Sequence, residues 1–246
     1  MKLTVIGSGS GGNCYVLQNS AEALVIEAGV PMRDILPIIG HDVRKVSCCL
    51  VSHEHGDHAG HVKEVVDYCI PVRMSAGTAK SVGETVGNSP FLRLCRAGEQ
   101  FSERRFKVLP FATEHDAAEP LGFLINHPET GVILFATDTY YLRNTFAGLN
   151  HIMIECNYIE NVLRGRMDRG ELPEAVAKRA HTSHMDLETC VKTLKSNDLS
   201  AVKDILLIHL SRGNGDPKAM VSRVAETTGR PTYAARKGLT LDYFKI

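Results

Sequence analysis

The run His53-Glu54-His55-Gly56-Asp57-His58 constrains this chain more than any other stretch. It follows an apolar, strand-like segment, 46–51, and precedes a helix-like one, 61–69. Three imidazoles and a carboxylate are thus crowded into six positions at the end of an expected strand. Imidazole nitrogen and carboxylate oxygen are donors that zinc and similar divalent ions accept. In a tight, non-helical turn, His53 and His55 can face one side while Asp57 and His58 face another. One short segment can then serve two adjacent ions. A histidine-rich surface loop is the plain alternative. Three of the chain's 11 histidines beside an aspartate within six residues argue against it. The spacing also differs from His-Glu-x-x-His on a helix, where the glutamate is the base. Glu54 is therefore expected to point away.

A two-ion site needs further donors, and the candidates stand at strand ends. His115 lies just after the strand-like segment 106–110. Asp138 closes the apolar run 132–137, and His209 closes the run 205–208. Strand ends are where rigid scaffolds usually present catalytic groups. Each residue taken alone also fits a loop position, or a buried one satisfied by hydrogen bonds.

The series His53, His55, Asp57, His58, His115, Asp138, His209 resembles the ligand order of the metallo-β-lactamase-fold hydrolases. Their earlier acidic residue at a strand end is matched by Glu27, where aspartate is usual. The resemblance implies an α/β fold, an αββα four-layer sandwich. It also implies one metal held by His53, His55 and His115, and a second held by Asp57, His58 and His209, with Asp138 bridging. The stretches 7–14, 155–157, 183–186 and 209–214 are similar to the YycJ/WalJ-type branch, which implies exonuclease activity, 5′ to 3′ in some members. The chain departs from that pattern at Ser183, Gly213 and Gly215.

The residue chemistry agrees with phosphodiester hydrolysis. Two ions about 3.5–4 Å apart can share a bridging hydroxide as nucleophile and neutralise charge on a phosphoryl oxygen. Asp57 is the candidate to orient that nucleophile and take its proton. Phosphate oxygens also need donors beyond the metals, and His184, Ser211, Asn214 and Asn157 are the candidates, His184 also as a catalytic group. His184 precedes an apolar stripe, Leu187, Cys190, Val191 and Leu194, with Asp186 as the expected N-cap. That helix N-terminus could add to anion binding. An ordinary loop histidine is the bland reading of His184. Turn chemistry ahead of Asp216-Pro217 is the bland reading of Ser211 and Asn214.

Composition sets outer bounds. At 246 residues the chain suits a single domain, 1–246, with no inserted cap. Helices are expected at 173–180, 187–196 and 217–228, and a last strand near 239–244. Gly7-x-Gly9 is followed by renewed strand character rather than a helix, so a tight hairpin fits better than a dinucleotide loop. The 7 cysteines are scattered without a Cys-x-x-Cys pair, which points to buried free thiols, with Cys156 as core or wall. No signal peptide or apolar run of membrane length is present, so a cytoplasmic protein is expected. Lys+Arg and Asp+Glu both total 28, giving no global pull on phosphate. The segment 162–184 is locally basic through Arg164, Arg166, Arg169, Lys178 and Arg179, although a solvated helix face explains these equally.

The leading expectation is a two-metal phosphodiesterase acting on nucleic-acid ends, DNA before RNA, or on a small phosphodiester. Zinc is the first choice of ion, and manganese or ferrous iron accept the same donors. A hydrolase of lactones, thioesters or β-lactams, and a metal-binding module without activity, are the other classes.

Overall fold

Strands in parallel pairs are buried on both faces and read as unbroken apolar runs. The runs at 46–51, 132–137 and 205–208 all become strands in parallel pairs in the computed structural model of the protein, which describes residues 1–244. Two compact units result. The first comprises Met1–Ala112, Ala117–Gly131 and Arg236–Ile246, and the second Thr113–Asp116 and Val132–Ala235.

The first unit carries β1 (Lys2–Gly7), β2 (Cys14–Gln18), β3 (Ala23–Ile26), β4 (Val46–Leu50), β5 (Val72–Met74), β6 (Leu92–Leu94), β7 (Phe101–Glu103), β8 (Phe106–Ala112) and β9 (Leu121–His127). Its helices are α1 (Met32–Ile35), α2 (Gly56–Ala59), α3 (Val62–Asp67), α4 (Ala76–Ser81) and α5 (Glu84–Gly87). Strands β3 and β4 run parallel, so both release the chain at the same end. Their C-terminal ends deliver Glu27 and the segment 51–58. The apolar faces of β3, β4 and β5 pack with α1 and α3 into one core containing Val25, Ile35, Cys49, Val65 and Val72.

The opening glycines form the expected hairpin. Strands β1 and β2 pair antiparallel, and a register shift between Val5 and Gly7 marks the bend. Gly12 has φ 126°, a backbone that L side chains rarely adopt. The segment after Gly56 differs from expectation. A four-residue helix, α2, replaces the non-helical turn, with the His58 and Ala59 amides both donating to His55 O at 2.9 and 2.8 Å. Gly56 is a poor helix former, so tertiary hydrogen bonds hold this turn: Ala28 N donates to His58 O at 2.7 Å and Asn13 N to Asp57 O at 2.7 Å.

The second unit carries β10 (Gly131–Ala136), β11 (Leu149–Glu155), β12 (Asp204–Ile208) and β13 (Thr232–Ala234), whose neighbours pair parallel throughout. Its helices are α6 (Glu160–Asp168), α7 (Glu174–Ser183), α8 (Leu187–Lys195) and α9 (Pro217–Thr228). The strand β14 (Thr240–Asp242), within the expected 239–244, returns to the first unit beside β1. Asp186 caps α8, accepting from Glu188 N and Thr189 N, and the expected stripe of α8 is buried. Asp216 caps α9 in the same way, and Gly229 ends it with φ 65°. Helix α7 runs one turn past the expected 173–180. Among the described residues no helix is long and apolar enough to cross a membrane.

Six cysteines are buried, as expected, but Cys69 is exposed at the end of α3. Burial pushes the thiols of Cys14, Cys48, Cys49 and Cys95 up. A thiol reagent should therefore titrate about one cysteine in the native protein and all of them after unfolding; rapid native reaction of three or more contradicts the packing. Gly29 offers a second check. A Cβ there would stand 1.8 Å from Asp57 O and 2.6 Å from Asn13 N, whereas Gly11 has nothing within 4 Å. Gly29→Ala should lower the thermal midpoint by about 5–10 °C, and Gly11→Ala should leave it nearly unchanged.

Candidate metal centre

In the first unit, parallel strands place the donors and a second layer of side chains aims them. His53 is 1 % exposed and His58 fully buried. His53 Nε2 stands 3.0 Å from His55 Nδ1, and the other ring nitrogen of His53 meets Ser52 Oγ at 2.8 Å. Two nitrogens at about 2.05 Å from one tetrahedral zinc lie about 3.3 Å apart, so the pair is close to chelating geometry. His58 Nε2 and Asp57 Oδ2 are 3.4 Å apart, another spacing that one ion can span.

Three residues hold this cluster from behind. Glu27 Oε2 accepts from Ser52 N at 3.3 Å and lies 3.5 Å from His58 Nδ1. The carboxylate thus backs an imidazole, as acidic groups behind metal-bound histidines commonly do. Asn13 Nδ2 lies 3.2 Å from Asp57 Oδ2 and 3.1 Å from His58 Nε2, while Asn13 Oδ1 accepts from Gly9 N at 2.7 Å. Glu54, expected to point away, accepts from Ala118 N at 2.7 Å.

In the second unit, the carboxyl ends of β10, β11 and β12 deliver Asp138, Glu155 and His209, and the loop before Asp116 delivers His115. Open parallel sheets bind ligands at this end of their strands. The two oxygens of Asp138 face different histidines: Oδ2 is 3.5 Å from His115 Nε2, and Oδ1 is 3.1 Å from His209 Nδ1. That is the disposition a bridging carboxylate requires. His115 Nδ1 meets Ser183 O at 2.8 Å, which orients its ring. Burial pushes the His115 imidazolium pKa down, with the Asp138 charge opposing. A neutral ring is the form that ligates metal.

Glu155 is the member of this donor cluster that the sequence reading did not single out as a site residue. It is fully buried. Its Oε2 accepts from Thr139 N at 2.8 Å and Met185 N at 3.2 Å, and its Oε1 meets His184 Nδ1 at 2.8 Å and His209 Nδ1 at 3.0 Å. One ligand atom from each of Asp138, Glu155, His184 and His209 lies within 4.8 Å of the others. Burial works against the Glu155 charge, but the His184 charge and the histidine hydrogen bonds outweigh it and hold the carboxyl below its usual range. Burial likewise works against the His184 imidazolium, and the Glu155 carboxylate overcomes it, raising the pKa. The 155–157 motif was the available signal, but it pointed only to a branch resemblance.

Backbone conformation marks the same residues. Glu27, Asp138 and His209 have φ of 68°, 42° and 53°. Non-glycine residues adopt this left-handed region at a cost of about 1–3 kcal/mol; His41, Cys69 and Arg104 share it outside the candidate site.

The expected phosphate donors have internal partners. Asn157 donates from Nδ2 to His209 O at 2.8 Å, from its backbone N to Met185 O at 2.8 Å, and accepts from Ser211 N at 2.8 Å. It brackets three segments that carry the site. Ser211 Oγ accepts from Asn214 N at 3.3 Å, the turn expected ahead of α9. Asn214 Oδ1 accepts from Arg166 Nη1 at 2.8 Å. A Cβ at Gly213 would stand 2.4 Å from that same Nη1, so the glycine leaves room for the arginine. The α8 N-terminus, expected to help bind an anion, has two of its amides taken by Asp186. Cys156 is buried and its thiol pKa is raised, first by its contact with Cys190. The basic segment is largely paired: Arg164 with Glu160, Arg169 with Glu171, and Arg179 with Asp116.

The comparisons with known proteins agree with this architecture. Residues 7–88 match the metallo-beta-lactamase superfamily model. The exodeoxyribonuclease YycJ of Bacillus anthracis is 26 % identical over 244 residues, covering 93 % of this chain and 90 % of its own. The exodeoxyribonuclease WalJ of Streptococcus pneumoniae is 25 % identical over 230 residues, covering 87 % of this chain and 82 % of its own. Among solved structures, the metallo-beta-lactamase fold protein YhfI of Bacillus subtilis has a TM-score of 0.74 at 13 % identity, covering 98 % of both chains. A diphosphatase of the PhnP family has a TM-score of 0.70 at 15 % identity, covering 100 % of this chain and 98 % of its own. These likenesses show an αββα fold of two mixed sheets packed by helices.

If Asn13 aims Asp57 and His58, then Asn13→Ala should weaken metal binding about 10–100-fold. Chelator competition on the folded variant measures it, and unchanged affinity contradicts the role.

Proposed function

Because the chain carries a metallo-β-lactamase superfamily domain and is a hydrolase of that fold, we propose that it is a two-metal phosphodiesterase that trims nucleic-acid ends, DNA before RNA, in the 5′ to 3′ direction. The observation that carries this reading is the extent of the match to the exodeoxyribonucleases, 93 % of the chain, reaching well beyond the metal-binding run. The donors are chemically suited to divalent ions, being imidazoles and carboxylates with no thiolate among the candidates. Zinc is the ion they suit first, with manganese and ferrous iron as alternatives.

His53, His55 and His115 would hold one ion and Asp57, His58 and His209 the other, with Asp138 between them. When bound, such ions lower the pKa of a water molecule toward neutrality and neutralise charge on a phosphoryl oxygen. Asp57, steadied by Asn13, orients the attacking water and accepts its proton. His184, whose Nδ1 stands 2.8 Å from the Glu155 carboxylate, would donate a hydrogen bond to the phosphate or to the departing oxygen. Ser211 and Asn214, with Arg166 attached, form the wall that meets the remaining phosphate oxygens. Asn157 positions His209 rather than touching substrate.

The paired arginines support trimming of ends over binding along a tract. Arg164, Arg169 and Arg179 each face a carboxylate, which lowers the positive charge this segment has free to displace counterions. Affinity for DNA should therefore fall only shallowly with salt, with a log–log slope of about −1 to −3. The chain reads as one metallo-β-lactamase-like domain, 1–246, without a cap, supported by the near-full coverage of solved structures. Free, buried cysteines support a reducing, cytoplasmic setting.

The test is an assay of the purified protein with Zn²⁺ or Mn²⁺ on end-labelled DNA and RNA, bis-p-nitrophenyl phosphate and a lactone panel. Stepwise shortening of DNA is expected, and Asp57→Asn should slow it about 100-fold or more at matched metal content. Hydrolysis of lactone or thioester alone contradicts the reading.

A further inference from the structure

Two exposed tyrosines follow the candidate bridging aspartate. Tyr140 and Tyr141 are 41 % and 50 % exposed, and no other large apolar side chains exposed among the described residues are neighbours in sequence. Single exposed aromatics are ordinary. This pair differs because the backbone beneath it is fastened on both sides. Thr139 is fully buried and Leu142 is 5 % exposed, so the tyrosines stand between two anchors.

The fastening runs through the site itself. Thr139 N donates to Glu155 Oε2 at 2.8 Å, and Thr139 Oγ1 donates to Tyr141 O at 2.7 Å. The same hydroxyl accepts from Glu114 N at 3.0 Å, while Tyr140 N donates to Glu114 O at 3.1 Å. Arg143 closes the loop on the far side with an ion pair to Glu114. The loop is thus tied to the carboxylate that holds His184 and His209, and to the residue before His115. Two residues of chain span at most about 7 Å, so Tyr140 lies close to Asp138 along the backbone.

We propose that Tyr140 and Tyr141 form a stacking platform that grips the unpaired terminal bases of a nucleic acid while its phosphodiester lies at the metal centre. The inference rests on the nuclease reading given above. Two features favour a base as the occupant. Every base offers a π-face, so stacking tolerates any sequence, as an enzyme that removes successive nucleotides requires. Three arginines of the 162–184 segment already face carboxylates, so stacking on the bases adds to the grip that the remaining cations give the phosphate backbone. A rigid loop makes that grip cheaper, because little side-chain and backbone freedom is left to lose on binding.

The test uses the metal-loaded full chain and single-stranded phosphorothioate oligonucleotides carrying 2-aminopurine at the 5′ or the 3′ end. Stacking quenches the probe, and the wild type should quench it at one end. Tyr140→Ala and Tyr141→Ala should each raise Kd about fivefold or more, and the double variant should abolish quenching. Tyr140→Phe and Tyr141→Phe keep the ring and should keep both affinity and quenching. In cleavage of single-stranded DNA the alanine variants should raise KM far more than they lower kcat, with metal content unchanged. Full quenching and affinity in the double alanine variant overturn the platform while leaving the nuclease reading intact. Loss of binding in the phenylalanine variants also overturns it, since a hydroxyl contact would then be the cause. Failure of the wild type to cleave any nucleic acid instead overturns the reading beneath it.

Discussion

One fully buried carboxylate, Glu155, organises the second unit. It accepts two backbone amides and meets two imidazoles. A buried charge is tolerated only when it is paired and hydrogen-bonded, and here the partners are the functional segments themselves. Thr139 follows Asp138, Met185 follows His184, and His209 follows β12. Satisfying the charge therefore positions the donors. Removing the carboxylate would leave His184 and His209 without their shared partner and release three segments together.

The first unit uses a different device for the same purpose. Its donors occupy a short loop and a helical turn, and main-chain hydrogen bonds from Asn13 and Ala28 hold that turn from behind. Gly29 allows the close approach, since any side chain there would meet Asp57 O. The opening hairpin is thus connected to the ligand loop by Asn13, whose amide reaches Asp57 and His58. Sequence elements 44 residues apart act as one support. In both units the cost of left-handed backbone at Glu27, Asp138 and His209 is offset by these surrounding contacts.

Much of this was legible from the residues. His53, His55, Asp57 and His58 stand out because so many metal donors in six positions have few other uses. Asp138 and His209 were visible because each interrupts an apolar run at its end. Asp186 and Asp216 announced their helices through cap chemistry. Glu155 was not visible as a site residue, because a carboxylate after Ile152-Met153-Ile154 looks like any strand terminus until its four partners are known. The left-handed residues carry no mark in composition, since neither glycine nor asparagine occupies them. The helical turn at α2 was hidden because local propensity disfavours it and distant hydrogen bonds impose it. Asn157, Ser211 and Asn214 were expected as phosphate donors, and their internal partners depend on contacts that sequence does not display.

The proposed metal centre would use His53, His55, Asp57, His58, His115, Asp138 and His209 as donors to a pair of divalent ions. Anomalous diffraction at the zinc edge from crystals of the metal-loaded protein tests it most directly. Two peaks about 3.5–4 Å apart are expected, one beside His53, His55 and His115 and one beside Asp57, His58 and His209, each in contact with Asp138. A single peak, or ions held by Glu155 and His184 instead of Asp138, would contradict it.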